Sequence, residues 1–152
     1  MIVPLHSVYA QSKTTTHAFS LKSLINHLLW HPLSETMRYS DSSVKNEIAA
    51  DIFMVSDENK IGPVIQELLS TIIRNSRKGR IHIRAERFRD IIILEIEDQS
   101  NYNGYALDYS IRSIESLARS VGGTISIKGQ QQLETTITFS FPDRTEMTAY
   151  EC

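Results

Sequence analysis

Asp98 is the acidic residue whose place in the sequence points most directly to chemistry. It ends the run 91–98, in which apolar residues fill every second position. Those inward residues are Ile92, Leu94 and Ile96. Because side chains alternate between the two faces of a strand, Asp98 should point inward with them. A buried carboxylate needs a hydrogen-bonding partner. The pattern therefore predicts either a ligand-binding group or a cap bonded to the amides of the loop 99–104.

Two helices are predicted ahead of this strand. The first follows the candidate N-cap residue Ser20 and must end or bend at Pro32. Mostly extended chain is predicted from Val44 to Val55. The second helix has apolar residues at helical spacing up to residue 73, with Asp57 as a candidate N-cap residue and Gly79 just beyond its end.

A pair of strands, a third helix and two more strands complete the pattern. The strands are predicted at 80–86, 91–98, 124–128 and 135–141. The third helix should place one apolar face inward, comprising Leu107, Ile111, Ile114, Leu117, Ala118 and Val121. This order predicts an α/β (α+β) two-layer sandwich, a mixed and mostly antiparallel sheet with about three helices on one face. We expect an irregular N-terminal arm at 1–18, one domain at 19–142 and a polar C-terminal tail at 143–152.

The segment Glu67–Ser76 resembles a known nucleotide-binding motif. It reads Glu-Leu-Leu-Ser-Thr-Ile-Ile-Arg-Asn-Ser, and it resembles the N-box of the histidine-kinase-like ATPases, Asn-Leu-Leu-x-Asn-Ala-Ile-Lys-Tyr-Ser. The run 120–127, with Gly122-Gly123, resembles the family's His-Gly-Gly-x-Ile-x-Val. The order of elements from Phe19 to Pro142 is similar to that of the sensor-kinase catalytic domain. The resemblance implies the Bergerat (GHKL) fold.

The positions that hold nucleotide in that family are altered in this chain. Glu67 stands at the first Asn of the N-box, and Thr71 stands at the Asn that binds Mg²⁺. The first glycine box, normally Asp-x-Gly-x-Gly, reads Asp98-Gln99-Ser100-Asn101-Tyr102. The second, normally Gly-Leu-Gly-Leu, reads Asp108-Tyr109-Ser110-Ile111. Asp108 puts a negative charge where a phosphate needs a positive dipole.

The resemblance implies a nucleotide pocket in which Asp98 accepts a hydrogen bond from the adenine amino group. The candidate pocket residues are Asp98, Thr71, Glu67, Asn75, Ser100 and Tyr102. The segment 99–107 leaves no room for the flexible lid that covers ATP in sensor kinases. Each lost charge-assisted contact costs about 1.5–3 kcal/mol. We therefore expect ATP or ADP with Mg²⁺ to bind weakly or not at all.

The preserved frame and altered ligand positions predict a degenerate ATPase domain that acts as a binding or regulatory module in signal transduction. One alternative is a divergent but active histidine kinase or ATPase that uses Asp98 and a water-mediated Mg²⁺. Another is a protein-interaction module that uses the basic face described next. The resemblance implies signalling proteins as partners, namely a kinase dimerisation domain or a receiver-type domain.

The stretch 74–89, here called the basic stretch, is rich in positive charge. Its candidate partner-binding residues are Arg74, Arg77, Lys78, Arg80, Arg84 and Arg87. Within the stretch only Glu86 opposes them. The functional interpretation is a docking face for an acidic protein, and the alternative is a solvated strand face. Phe88 is its only aromatic residue, so stacking on nucleic-acid bases is not expected.

His27 and Pro32 have the spacing of the sensor-kinase phosphoacceptor box, His-Glu-Leu-Arg-Thr-Pro-Leu. Leu28 replaces the acidic residue that would accept the imidazole proton. We expect His27 to lie inside the first helix and not to be phosphorylated. His27 and His31 are four residues apart, but no third ligand stands at a clear spacing, so no metal site is predicted.

Composition excludes several other classes of protein. The 152 residues are 41% apolar, enough for one domain with a core. The 16 basic and 18 acidic residues argue against broad nucleic-acid binding. No apolar run reaches the length of about 18 residues that a membrane helix needs. Cys152 is the only cysteine, so no intrachain disulfide forms. A cytoplasmic protein, or a fragment of one, is expected.

Overall fold

A computed structural model describes residues 18–99, 104–130 and 134–143 of the chain. The strands are β1 (Phe19–Ser20), β2 (Ser43–Asn46), β3 (Phe53–Met54), β4 (Arg80–Phe88), β5 (Ile91–Asp98), β6 (Thr124–Lys128) and β7 (Thr135–Pro142). The helices are α1 (Leu21–Trp30), α2 (Ser34–Ser40), α3 (Glu58–Arg74), α4 (Gly104–Arg112) and α5 (Glu115–Arg119). No helix in those ranges is both long and apolar enough to span a membrane.

Five strands form the main sheet in the order β2-β4-β5-β7-β6. Only β2 and β4 run parallel, and the other neighbours are antiparallel. Strands β1 and β3 form a separate antiparallel pair. The sheet is therefore mixed and mostly antiparallel, which confirms the predicted class.

The side chains of β5 alternate between the buried and the more exposed face of the sheet, as the sequence predicts. Its three inward apolar side chains, Ile92, Leu94 and Ile96, are fully buried. The helices cover this face, and α3 contributes most to the shared core through a continuous apolar side. The predicted N-caps are also confirmed. Ser20 Oγ accepts from the Ser23 amide at 3.2 Å, and Asp57 Oδ1 accepts from the Asn59 amide at 2.9 Å.

Helix α2 is an element that periodicity does not predict. Helix α1 ends at Trp30, before Pro32 as expected, but the chain then forms a second helix over Ser34–Ser40. None of the residues of α2 is buried, so it has no apolar stripe to reveal it. Asp41 ends this helix in a left-handed conformation at φ 55°.

The predicted third helix is two helices, α4 and α5. The break falls where the Ser113 hydroxyl donates to the Ser110 carbonyl at 2.7 Å and the Ile114 amide donates to the Ile111 carbonyl at 2.8 Å. A serine side chain that bonds the backbone competes with the helical pattern. Leu117, in α5, is 37% exposed, so its predicted burial is wrong.

Asp143 closes the end of the domain, although the sequence pattern assigns it to a polar tail. Its carboxylate is fully buried and accepts from the Val55 amide at 3.0 Å, the Ser56 amide at 2.8 Å and the Ser56 hydroxyl at 2.5 Å. Arg87 forms an ion pair with it and also donates to the Phe53 carbonyl at 2.7 Å. The contact ties β7 to β4 and to the segment that leads into α3.

We expect Asp143→Ala to lower the free energy of unfolding by about 3 kcal/mol. Removal of one partner of a buried ion pair leaves the Arg87 guanidinium and the Val55 and Ser56 amides without their acceptor. Urea unfolding followed by circular dichroism measures this. The control is Arg84→Gln, which removes three more exposed ion pairs, those with Glu47, Glu95 and Glu97, and should cost less than about 1 kcal/mol. Equal losses in the two variants would contradict the role assigned to Asp143.

Candidate functional site

Asp98 lies at the end of β5, between Ile81 of β4 and Thr135 of β7. Its side chain is fully buried, as its parity predicts, and Thr135 and Ser76 are fully buried as well. These three polar residues, here called the polar cluster, form one candidate site at this end of the sheet.

Gly79 holds the polar cluster together by close backbone approach. A methyl group added to its Cα would come within 2.0 Å of Ser76 Oγ and 2.6 Å of Asp98 Oδ1. Ser42 joins from the other side, since its hydroxyl donates to Ser76 Oγ at 3.2 Å and accepts from the Gly79 amide at 3.3 Å. Sequence reasoning missed Ser42, Ser76 and Thr135 as site residues. For Thr135 the available signal was its parity with the buried residues of β7.

Thr71 and Asn75 are engaged in closing the last turn of α3. Thr71 is 2% exposed, and its hydroxyl accepts from Arg74 Nη2 at 3.4 Å. Asn75 Nδ2 donates to the Thr71 carbonyl at 2.8 Å. Glu67 lies exposed on the same helix. Ser100 and Tyr102 lie outside the described residues.

The start of α4 lies against the turn that follows β6. A methyl group on Gly104 would come within 2.6 Å of the Gln130 backbone. Asp108 Oδ2 accepts from Gln130 Nε2 at 3.4 Å, and Asp108 Oδ1 lies 3.8 Å from Arg112 Nε. The start of α4 is therefore packed against protein at Gly104, and Asp108 of the second glycine box bonds to protein side chains, whereas Tyr109 is 80% exposed.

The basic stretch is not one uniform face. Arg84 pairs with Glu95 at 3.1 Å, Glu47 at 3.5 Å and Glu97 at 3.7 Å, and Arg87 pairs with Asp143. Five residues of the stretch are exposed and form no ion pair with any residue in the described ranges: Arg74, Arg77, Lys78, Arg80 and Arg89. Four of these five uncompensated charges lie where α3 passes into β4. Counting charges along the sequence sets only Glu86 against the basic stretch. That count misses the acidic residues of neighbouring segments that pair with Arg84 in the folded chain.

Glu47 pairs with two residues of the basic stretch, His82 and Arg84. Its Oε2 lies 3.1 Å from His82 Nδ1. The hydrogen bond with His82 is the largest influence on Glu47 and holds its pKa below the usual 4.5. The hydrogen bond to Glu95 correspondingly raises the pKa of Arg84.

His27 lies inside α1, as predicted, and is exposed. Its ring and that of His31 are 5.4 Å apart and tilted by 42°. Within the part of the chain that the structure describes, no group of three or more metal-binding side chains occurs.

The sequence gives no match to a protein-family profile or to a curated protein. The structure does match solved histidine kinases, so the chain has the histidine-kinase-like ATPase fold. The histidine kinase AdeS of Acinetobacter baumannii superimposes with a TM-score of 0.67 at 16% identity, over 94% of this chain and 81% of that chain.

Two further matching structures were solved with a ligand or with a partner protein. Full-length ShkA in complex with AMPPNP gives a TM-score of 0.66 at 10% identity, over 85% of this chain and 31% of that chain. Histidine kinase ThkA in complex with the response regulator TrrA gives 0.59 at 16% identity, over 96% of this chain and 49% of that chain. At these identities the likeness shows the fold.

We expect Gly79→Ala to lower the free energy of unfolding by about 1–3 kcal/mol, because its methyl group overlaps the polar cluster. The matched control is Gly62→Ala within α3, where an added methyl group meets nothing within 4 Å. That change should stabilise the fold by about 0.5–1 kcal/mol, since alanine loses less backbone freedom in a helix. Chemical denaturation of both variants tests this, and a Gly79→Ala variant as stable as the wild type would refute the close packing.

Acid should remove the stabilisation that Glu47 provides. Because the pKa of Glu47 is lower in the folded state than its usual 4.5, its contribution is complete above pH 4.5 and is lost as the pH falls towards the folded value. Unfolding curves of wild type and Glu47→Gln between pH 6 and pH 3 should converge at the acid end. A constant difference across that range would show that Glu47 is not linked to protonation.

Proposed function

We propose that this chain is a signal-transduction module with the histidine-kinase fold whose nucleotide site has lost its metal- and phosphate-binding parts. It would act by binding or regulating a partner rather than by turning over ATP. The observation that carries the proposal is the guanidinium of Arg74 beside the Thr71 hydroxyl.

The residues at the metal position do not fit Mg²⁺. Mg²⁺ in proteins is held by carboxylates, phosphates and water in a near-octahedral arrangement. The resemblance puts Thr71 at the metal-binding position, yet its one hydroxyl is buried and directed to the Arg74 guanidinium at 3.4 Å. A fixed positive charge at this distance repels a divalent cation.

The residues at the phosphate position do not fit either. In this fold the start of the helix after the lid would present free amides and a positive dipole to phosphate. Here Gly104 packs on the Gln130 backbone, and Asp108 adds a negative charge in the next turn. No step through a metal-bound nucleotide is therefore assigned to this chain.

The polar cluster is the part of the site that supports continued binding. Asp98, Ser76 and Thr135 are buried together at the edge of the core, and a carboxylate and two hydroxyls suit a flat ring with hydrogen-bond donors. We propose that any residual ligand at this position is an adenine-like ring held by Asp98, with little contribution from phosphates.

The partner proposal rests on the fold and on charge. A kinase of this fold, ThkA, was solved with a response regulator, and this chain carries uncompensated positive charge at the α3–β4 junction. We propose a signalling protein as its partner. An active, divergent kinase remains the alternative, and the following titration separates the two.

Titration calorimetry with ATP, with and without Mg²⁺, tests the loss of the metal site. Addition of Mg²⁺ should not raise the affinity for ATP, and no phosphate should be released. Thr71→Asn, which restores a metal-binding side chain, should make binding more dependent on Mg²⁺ than in the wild type. Low-micromolar binding of Mg²⁺-ATP by the wild type, with release of phosphate, would contradict the proposal and favour an active enzyme.

Adenosine tests the polar cluster separately. Its binding, followed by ¹⁵N–¹H spectra, should perturb the amides near Asp98 and should be lost in Asp98→Asn, because the carboxylate is the group that accepts from the ring. Gln99→Ala is the control, since Gln99 contacts Glu97 rather than the cluster. Binding that survives Asp98→Asn would remove the assigned role of Asp98.

A further inference from the structure

A cavity lies between α2 and the α3–β4 junction. It is a groove of about 740 Å³ lined by Glu35, Thr36, Tyr39, Ser40, Asp41, Arg74, Ser76, Arg77 and Lys78. That volume falls within the range of small-molecule sites, roughly 300–1,000 Å³. It is here called the junction groove.

The two walls of the junction groove are fixed to each other by hydrogen bonds. The Lys78 amide donates to the Ser40 carbonyl at 2.9 Å, and the Ser43 amide donates to the Gly79 carbonyl at 3.0 Å. The contact between Ser42 and Ser76 adds a third link. The groove therefore has a defined width rather than two independently moving sides.

Charge is divided between the walls. Arg74, Arg77 and Lys78 stand on one wall, exposed and without an ion pair to any residue in the described ranges. Glu35 and Asp41 stand on the other. Three cations on one side favour a phosphate group. The two carboxylates opposite disfavour a uniformly acidic peptide, and they can accept from hydroxyl groups of a sugar.

Tyr39 adds a flat surface at the same groove. Its side chain is 91% exposed, so its ring is not used by the core. Aromatic rings bind nucleobases by stacking and tolerate different bases, since each base has a π face. Cations, carboxylates and a free ring thus occur together in a cavity of suitable size.

Backbone strain marks the cationic wall. Lys78 adopts φ 54°, in the left-handed region, which lysine seldom occupies and which favours glycine or asparagine. Strained residues of this kind cluster at functional sites. A lysine thus occupies a position where glycine would be less strained.

We propose that the junction groove binds a nucleoside diphosphate or a closely similar phosphorylated nucleoside, without Mg²⁺ and without use of Asp98, although the groove shares Ser76 with the polar cluster. Arg77 and Lys78 contact the phosphates, the ring of Tyr39 stacks on the base, and Glu35 or Asp41 accepts from the ribose hydroxyls. The base need not be adenine, which separates this site from the one at Asp98.

Uridine diphosphate is the probe, because uracil lacks the adenine amino group that Asp98 would recognise. Calorimetry in EDTA with the full chain should show binding that weakens as salt rises, since the cations are exposed to solvent. Arg77→Gln and Lys78→Gln should each weaken it about tenfold to a hundredfold, the range expected for the loss of one charge-assisted hydrogen bond. Asp98→Asn should leave it unchanged.

Matched variants keep the test independent of folding. Arg80→Gln removes an exposed charge of the same stretch that does not line the groove, and it should bind as the wild type does. Tyr39→Leu should weaken uridine diphosphate but not inorganic pyrophosphate, whereas Tyr39→Phe should keep both. Lys78→Gly should raise the melting temperature while it lowers affinity, a combination that a purely structural lysine would not produce.

Several outcomes would overturn the inference. Absence of uridine diphosphate binding at low salt would remove the site. Equal binding of pyrophosphate and uridine diphosphate, insensitive to Tyr39→Leu, would reduce it to a phosphate contact. Binding of a poly-glutamate peptide in place of the nucleotide would show a protein-docking groove. Failure of the adenosine experiment at Asp98 bears on the polar cluster alone, so the two proposals fail separately.

Discussion

The approach of Gly79 to Asp98 and Ser76 is the contact on which both candidate sites depend. The chain leaves α3, turns through Lys78 and enters β4 within a few residues, and only a residue without a side chain fits beside the buried carboxylate. The backbone of Gly79 therefore packs directly against Ser76 and Asp98 of the polar cluster. Lys78, the residue before Gly79, is left-handed at φ 54° and lies on the cationic wall of the junction groove. One small residue thereby links the end of the core to the charged surface.

The frame of the fold follows from patterns that a single sequence carries. The apolar side of α3, the alternation of β5 and β7, and the caps Ser20 and Asp57 each depend on neighbours within a few positions. Such local signals suffice to define a layered α/β domain. They also explain how the fold is shared with kinases at 10–16% identity, because the positions of apolar residues matter more than their identities.

The parts that sequence reasoning missed depend on contacts between distant segments. Helix α2 has no buried residue and hence no periodic signal. In the sequence Asp143 is a polar residue after a proline. Its burial depends on contacts with Arg87 and Ser56, which are distant in the sequence. Arg84 reads as a free charge until the strand register places Glu95 opposite it. The candidate site divides in the same way, since the parity of Asp98 and of Thr135 is present in the sequence, whereas the contribution of Ser42 depends on a contact with a distant segment.

The position of β7 has a consequence for how the chain acquires its structure during synthesis. Of the strands in the described ranges, β7 is synthesised last, and it lies between β5 and β6, so β6 has no partner among those strands until β7 arrives. Until then the edge of β5 that pairs with β7 presents unpaired backbone N–H and C=O groups, and the contacts of Asp143 with Arg87 and Ser56 have not formed. A nascent chain that stalls before residue 135 would expose that edge to other chains, a state prone to aggregation. The five-stranded sheet is therefore complete only when β7 is available.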